Sequence, residues 1–192
     1  MIHLNNGMRF GETSMIRASD KILNVIKELE GCSLKVYKDS AGLDTIGIGH
    51  LMTKADTFET PLKSEAAALA LLDRDMSTIE RLLNKVVGDA GLPQNQIDAL
   101  LSFSFNVGVG NFSKSTLLKK LSKGDMTASD EFLRWVMAGG RAIEGLIKRR
   151  IVEQGIFISS TSKLSEHSGK VSAKNLSEAK MIIEGYLYGQ AR

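Results

Sequence analysis

"GCSLKVYKDSAGLDTIGIGH", residues 31–50, stands directly behind Glu30 and interrupts a chain whose other patterns are helical. From Leu34 to Ile48 the residues turn β-prone, with Val36, Tyr37, Thr45, Ile46 and Ile48 on either side of the turn-forming KDSAG. This pattern predicts a short twisted hairpin. Ahead of it, SDKILNVIKELEG places Ile22, Ile26 and Leu29 on one helical face, with Ser19 or Asp20 to cap the start and Gly31 to end it. The predicted helix therefore delivers Glu30 in its last turn, at the root of the hairpin.

Outward from this break the chain reads as helices. Residues 51–62 are irregular and contain Pro61, and KSEAAALALLDRDMSTIERLLNKVVG follows. Ser64 suits its cap, Gly88 its end, and Leu69, Leu72, Met76, Ile79, Leu83 and Val86 recur at spacings of three and four. A long core helix explains that stripe better than a coiled coil, because charged flanking positions are few. Four shorter helices are predicted in QNQIDALLSFSFN, KSTLLKKLSKG, TASDEFLRWVMAGG and AIEGLIKRRIVEQGIF, with short connections that imply a compact helical lobe. The long helix would join this lobe to the hairpin lobe and leave a cleft between them.

The two ends differ from the body. Residues 1–18 show no period and read as an N-terminal extension, and SSTSKLSEHSGKVSAK reads as a linker. NLSEAKMIIEGYLYGQAR then sets Leu176, Ala179, Ile183 and Tyr186 on one face. A helix docked on the body fits this segment better than one attached to a membrane or the wall, since its polar face is not strongly basic. The organisation expected is thus 1–18, 19–158 and 159–192.

Composition excludes several classes. The 192 residues carry a net charge of +3, 43% hydrophobic residues and only two prolines, which describes a globular chain with a sizeable core and argues against nucleic acid as partner. No apolar run approaches the ~20 residues needed to span a bilayer, and the start lacks a basic-then-apolar leader. Synthesis in a cytoplasm is expected. The single Cys32 has no internal partner and reads as a small buried residue rather than a nucleophile. His3, His50 and His167 are scattered, without HExxH or paired cysteines, so no metal site is expected and no cofactor is called for. TIGIGH lacks the context of a phosphate loop, and Gly47 and Gly49 instead signal close approach by a backbone or a ligand.

Chemistry is suggested by Glu30 and Asp39. A helix-end carboxylate and a turn carboxylate nine residues on can reach one cleft wall, which is the kit for glycosidic cleavage, with Thr45 on the return strand able to hold a water. Spacing alone is equally compatible with a solvated glutamate and a turn aspartate. His50 reads as a structural hydrogen-bonding residue and Trp135 as a core anchor.

The segment EGCSLKVYKDSAGLDTIGIGHLMTK, residues 30–54, resembles the catalytic segment of the phage-type lysozymes, glycoside hydrolase family 24. The shared pattern is Glu-Gly, then Leu, Tyr and Asp, then Gly and Thr-Ile-Gly-x-Gly-His. FNVGVGNFSKSTLLKKL and RWVMAGGRAIEGLIKRR continue the likeness, which covers about residues 20–158. The resemblance implies an α+β, lysozyme-like fold: a small hairpin lobe joined by a long helix to a larger helical lobe. It implies a cofactor-free, monomeric muramidase that hydrolyses the β-1,4 bond between N-acetylmuramic acid and N-acetylglucosamine in bacterial peptidoglycan.

Residue by residue, the family implies Glu30 as general acid, Asp39 as base or electrostatic partner and Thr45 as the water-positioning group. Thr45 is present, so inversion at the anomeric carbon is expected. Leu51, Phe105 and Ser115 match positions lining the sugar cleft, while a cleft asparagine of the family is replaced by Ser129. Arg149 or Arg150 is expected to pair with Glu30. A phage endolysin is the expected setting, reaching the wall after another protein permeabilises the membrane; the rivals are a toxin or a virion enzyme. A non-catalytic peptidoglycan-binding module and a lytic transglycosylase remain open alternatives on this fold.

Overall fold

The computed structural model describes residues 15–39, 42–159 and 172–189. Most of the expected linker lies outside the described residues, as do residues 1–14.

Helix α1 (Asp20–Glu30) begins where expected: Ser19 is its N-cap and its hydroxyl accepts the Ile22 N–H at 3.2 Å. It ends at Gly31, whose positive φ of 78° glycine adopts without steric cost. Strands β1 (Ser33–Lys38) and β2 (Asp44–Gly47) form the hairpin, and a two-residue strand β3 (His50–Leu51) extends it to three antiparallel strands. Tyr37 faces Thr45 across the first pair, and Thr45 faces Leu51 across the second. Gly47 does not border open space. A Cβ there would stand at ordinary contact distance, 3.4–3.6 Å, from Leu62, Ala68 and Leu71, so the site is walled in, and it is the φ of 65° that calls for glycine.

That helix is α2 (Glu65–Val87), capped by Ser64 and ended at Gly88. Leu72, Met76 and Leu83 of the expected stripe are buried, whereas Leu69, Ile79 and Val86 sit at its half-buried margin. The helical lobe follows with α3 (Gln94–Val107), α4 (Val109–Lys114) and α5 (Thr116–Leu121). One sequence expectation fails here. TASDEFLRWVMAGG is not an α-helix: Met126–Arg134 forms 3-10 turns, and Met137–Ala138 (β4) then pairs with Arg141–Ala142 (β5) around Gly139 and Gly140. Both glycines have positive φ, 56° and 77°, as a two-residue hairpin turn requires. Ala128 and Phe132 still reach the core, so burial is kept while the backbone tightens.

Helix α6 (Glu144–Ile158) runs through the centre of this lobe. Helix α7 (Ala173–Tyr188) docks on α6 and α1, burying Ala179, Ile183 and Tyr186. Gly155 makes the docking close, because a Cβ there would lie 2.4 Å from Ile183 Cδ1. Residues ahead of α1 also pack on the body: Ile16 is buried and Glu80 accepts the Ala18 N–H at 2.7 Å.

His50 has the structural role expected of it. Its Nδ1 lies 2.7 Å from Asp75 and its Nε2 3.2 Å from Asp56, with the ring edge-on to Phe58. Asp56 also accepts from the Thr53 N–H at 2.7 Å, the Thr53 hydroxyl at 2.9 Å and Arg74 at 2.9 Å. The Thr53 N–H first, then its hydroxyl, His50 and Arg74, hold the Asp56 carboxyl well below the usual carboxylate range, against the opposing effect of burial. A lowered carboxylate stabilises the fold above its unfolded value and loses that contribution as pH falls toward the folded one. Asp56→Asn is therefore expected to lower Tm at pH 7, with a gap to wild type that narrows below about pH 4. Thermal melts of both proteins between neutral and acid pH check this; a gap independent of pH would count against it.

Candidate active site

Two helices meet at Glu30. Helix α1 presents it in the last turn, with 27% of its side chain exposed. From α6, Arg149 Nη1 donates to Glu30 Oε1. Arg149 is itself buried and held on two further sides: its Nη2 donates to the Ser102 carbonyl at 3.2 Å and its Nε to Glu153 Oε1 at 3.1 Å. In the hairpin, Asp39 is held by its own turn. Its carboxylate Oδ1 accepts the Leu43 N–H at 2.9 Å and its own N–H donates to the Leu43 carbonyl at 3.0 Å, so the turn sets the carboxylate's direction.

Tyr37 reports on both acids. Burial, then the charge of Glu30, then that of Asp39, push its phenol up, which puts one ring within electrostatic reach of both carboxylates. Thr45 lies across the ladder from Tyr37. Its hydroxyl is nearly buried and donates to the Leu43 carbonyl at 3.2 Å, leaving oxygen lone pairs able to accept from a water.

The other expected residues divide. Leu51 is 47% exposed on β3, and half-buried Phe105 approaches Gly49, where a Cβ would stand 3.8 Å from its Cζ. Ser115 is buried, and its hydroxyl caps α5 by accepting the Leu118 N–H at 3.1 Å. Ser129 is buried as well. Of the two arginines, Arg149 is the one that meets Glu30. Arg150 is fully buried, donates to Asn106 Oδ1 and Glu153 Oε2, and stacks on Phe103 at 4.8 Å. Trp135 packs edge-on to Phe103, as a core anchor would. Cys32 is exposed rather than buried; its thiol is pushed up, first by partial desolvation and then by Glu65, the reverse of an activated nucleophile.

Glu153 was not anticipated. It is completely buried and takes Arg149 and the Ser102 hydroxyl on one oxygen and Arg150 on the other. The signal was present in RRIVE, since positions three and four apart share a helix face. Among the described residues no group of three or more His, Cys, Asp or Glu side chains is placed to hold a metal ion, and no helix is long and apolar enough to cross a membrane.

A family model described as Phage lysozyme matches residues 27–153. The chain belongs to the phage lysozyme family. It is 41% identical over 131 residues to the SAR-endolysin of Bacteriophage PS119, covering 68% of this chain and 77% of that protein. Among solved structures, a variant of P22 lysozyme matches at TM-score 0.67 with 33% identity, over 75% of this chain and 99% of that one. The endolysin of Escherichia coli O157:H7 phage FAHEc1 matches at 0.65 with 29% identity, over 74% and 93%. The resemblance drawn from residues 30–54 and the lysozyme-like α+β fold are thereby borne out. The chain is a peptidoglycan-hydrolysing phage lysozyme, a glycoside hydrolase of the endolysin type. Helix α7 lies outside the family match of this lysozyme.

Proposed function

We propose that Glu30 is the general acid of this muramidase, Asp39 the base and Thr45 the group that holds the attacking water, with inversion at the anomeric carbon. What supports the reading is geometric: Leu43 accepts the Thr45 hydroxyl on its carbonyl and gives its N–H to the Asp39 carboxylate, tying base and water-holder together, while Arg149 holds Glu30. A water accepted by Thr45 Oγ1 gives one proton to Asp39 as its oxygen bonds to the anomeric carbon. On the opposite face, Glu30 gives its proton to the glycosidic oxygen as the carbon–oxygen bond breaks. Each acid changes charge once and no covalent enzyme intermediate forms. Leu51 and Phe105 offer apolar surface to the sugar rings. A substrate contact by Ser115 would use its hydroxyl hydrogen or the lone pair that remains after it caps α5.

The biological reading is a monomeric endolysin, made in the host cytoplasm and acting on the wall once another protein opens the membrane. Any wall or membrane contact by α7 would use its outer face, where Met181 and Tyr188 are exposed, because Ala179, Ile183 and Tyr186 are buried.

Product analysis tests the chemistry. Digestion of purified peptidoglycan is expected to release muropeptides with reducing ends, and NMR of the initial product is expected to show the α-anomer. Anhydro-sugars would indicate lytic cleavage, the β-anomer would indicate retention, and no release would leave a binding module.

A further inference from the structure

The buried group behind Glu30 is an unusual arrangement of charge. Arg149 and Arg150 are adjacent on α6 and both buried, and like charges so placed repel in a medium less polar than water. One carboxylate, Glu153, accepts from both, with the Ser102 hydroxyl adding a third bond at 2.9 Å. Arg149 then donates its remaining terminal nitrogen to Glu30.

An arginine against a carboxylate favours the charged form, whereas a general acid must keep its proton at working pH. The pair of arginines alone would set two positive charges behind Glu30. We propose that Glu153 is a positioning and charge-compensating residue: it holds Arg149 against Glu30 and cancels one of the two positive charges there, so that Glu30 can retain a proton. This deepens, and rests on, the reading of Glu30 as the acid.

The charged groups facing Glu30 from each element are consistent with this control. The hairpin contributes Tyr37, whose ring feels both Glu30 and Asp39, α6 contributes Arg149 with Arg150 behind it, and Lys27 on α1 is engaged by Glu65 of α2 at 2.9 Å. Arg150 itself feels Glu30 as well as Glu153: burial lowers its affinity for a proton, while both carboxylates raise it. On α3, Ser102 and Asn106 are neutral, which leaves Glu153 as the carboxylate hydrogen-bonded to both arginines.

The experiment uses the full chain and two readouts. The Glu30 carboxyl is titrated by carbon-13 NMR, and kcat on purified peptidoglycan is followed against pH. Activity that needs a protonated acid falls as pH rises through that acid's titration. In Glu153→Gln, Glu30 is expected to lose its proton about one pH unit lower, moving the alkaline limb of kcat by the same amount and costing about tenfold in rate on that limb. Arg150→Gln is expected to move both in the opposite direction. The double variant, which removes one charge of each sign, is expected to restore them. An unmoved Glu30 titration in either single variant would overturn the proposal, as would a double variant that fails to restore what a single one shifted. If the titration moves and the kcat limb does not, charge compensation stands and the assignment of Glu30 as acid falls. Because the two single variants report independently, loss of folding in one leaves the other decisive.

Discussion

Glu30→Gln is expected to reduce kcat on peptidoglycan by about 100- to 10,000-fold while leaving the folded structure intact. The amide keeps the size of the side chain and an oxygen for Arg149, but it carries no transferable proton for the glycosidic oxygen. Arg149 remains held by Ser102 and Glu153, so its place does not depend on Glu30. KM is expected to change little, since the acid acts on the leaving group rather than on ground-state binding. A thermal melt run alongside separates the two effects. The structural cost is expected to be small, because Glu30 is partly solvated, the amide oxygen can still accept from Arg149, and Arg149 keeps its bonds to Ser102 and Glu153. Wild-type kcat in this variant would remove Glu30 from the mechanism. A fall in activity accompanied by a large fall in Tm would reassign it to structure.

What could be read before the structure follows from how local each signal is. Ser19 and Gly31 bound α1, Ser64 and Gly88 bound α2, and KDSAG turns the hairpin, all through interactions within a few residues. The hairpin geometry was legible for the same reason, since Asp39, Leu43 and Thr45 settle one another's positions. The 3-10 segment was misread because its apolar spacing suits an α-helix. The GG pair at its end suits a helix stop as well as a hairpin turn, and Met137 and Ala142, which pair across it, are not β-branched. Arg149 reaches Glu30 across 119 residues and Ser102 meets Glu153 across 51, so no local pattern distinguishes these charges from a solvated helix face. Buried acids such as Glu80 and Asp98 were hidden for the same reason. Each sits where helix periodicity permits burial, but charge argues against it until its partners from distant segments are known.

Asp98 is where this blindness matters most for stability. Its carboxylate is fully buried and accepts the Ser19 N–H at 3.2 Å, the Ser19 hydroxyl, Gln94 Nε2 at 2.8 Å and the Tyr186 hydroxyl at 2.8 Å. It thus joins the N-cap of α1, the helix that carries Glu30, to α3 and to α7. Burial first, then the Asp98 charge, pushes the Tyr186 phenol up, so that it stays a donor throughout the physiological range. Asp98→Ala is expected to destabilise the protein by about 3–5 kcal/mol, because it leaves several donors without an acceptor in a site closed to water. For a chain of this length that corresponds to a fall in Tm of roughly 10 °C. Tyr186→Phe removes one of the same bonds and is expected to cost only about 1 kcal/mol. Because Tyr186 and Asp98 touch, the double variant is expected to cost less than the two singles together. Denaturant melts of the four proteins close this cycle. Additive losses would mean that α7 is held by Ile183 against Gly155 and not through Asp98, and an Asp98→Ala protein as stable as wild type would mean that water reaches the site and replaces the lost carboxylate.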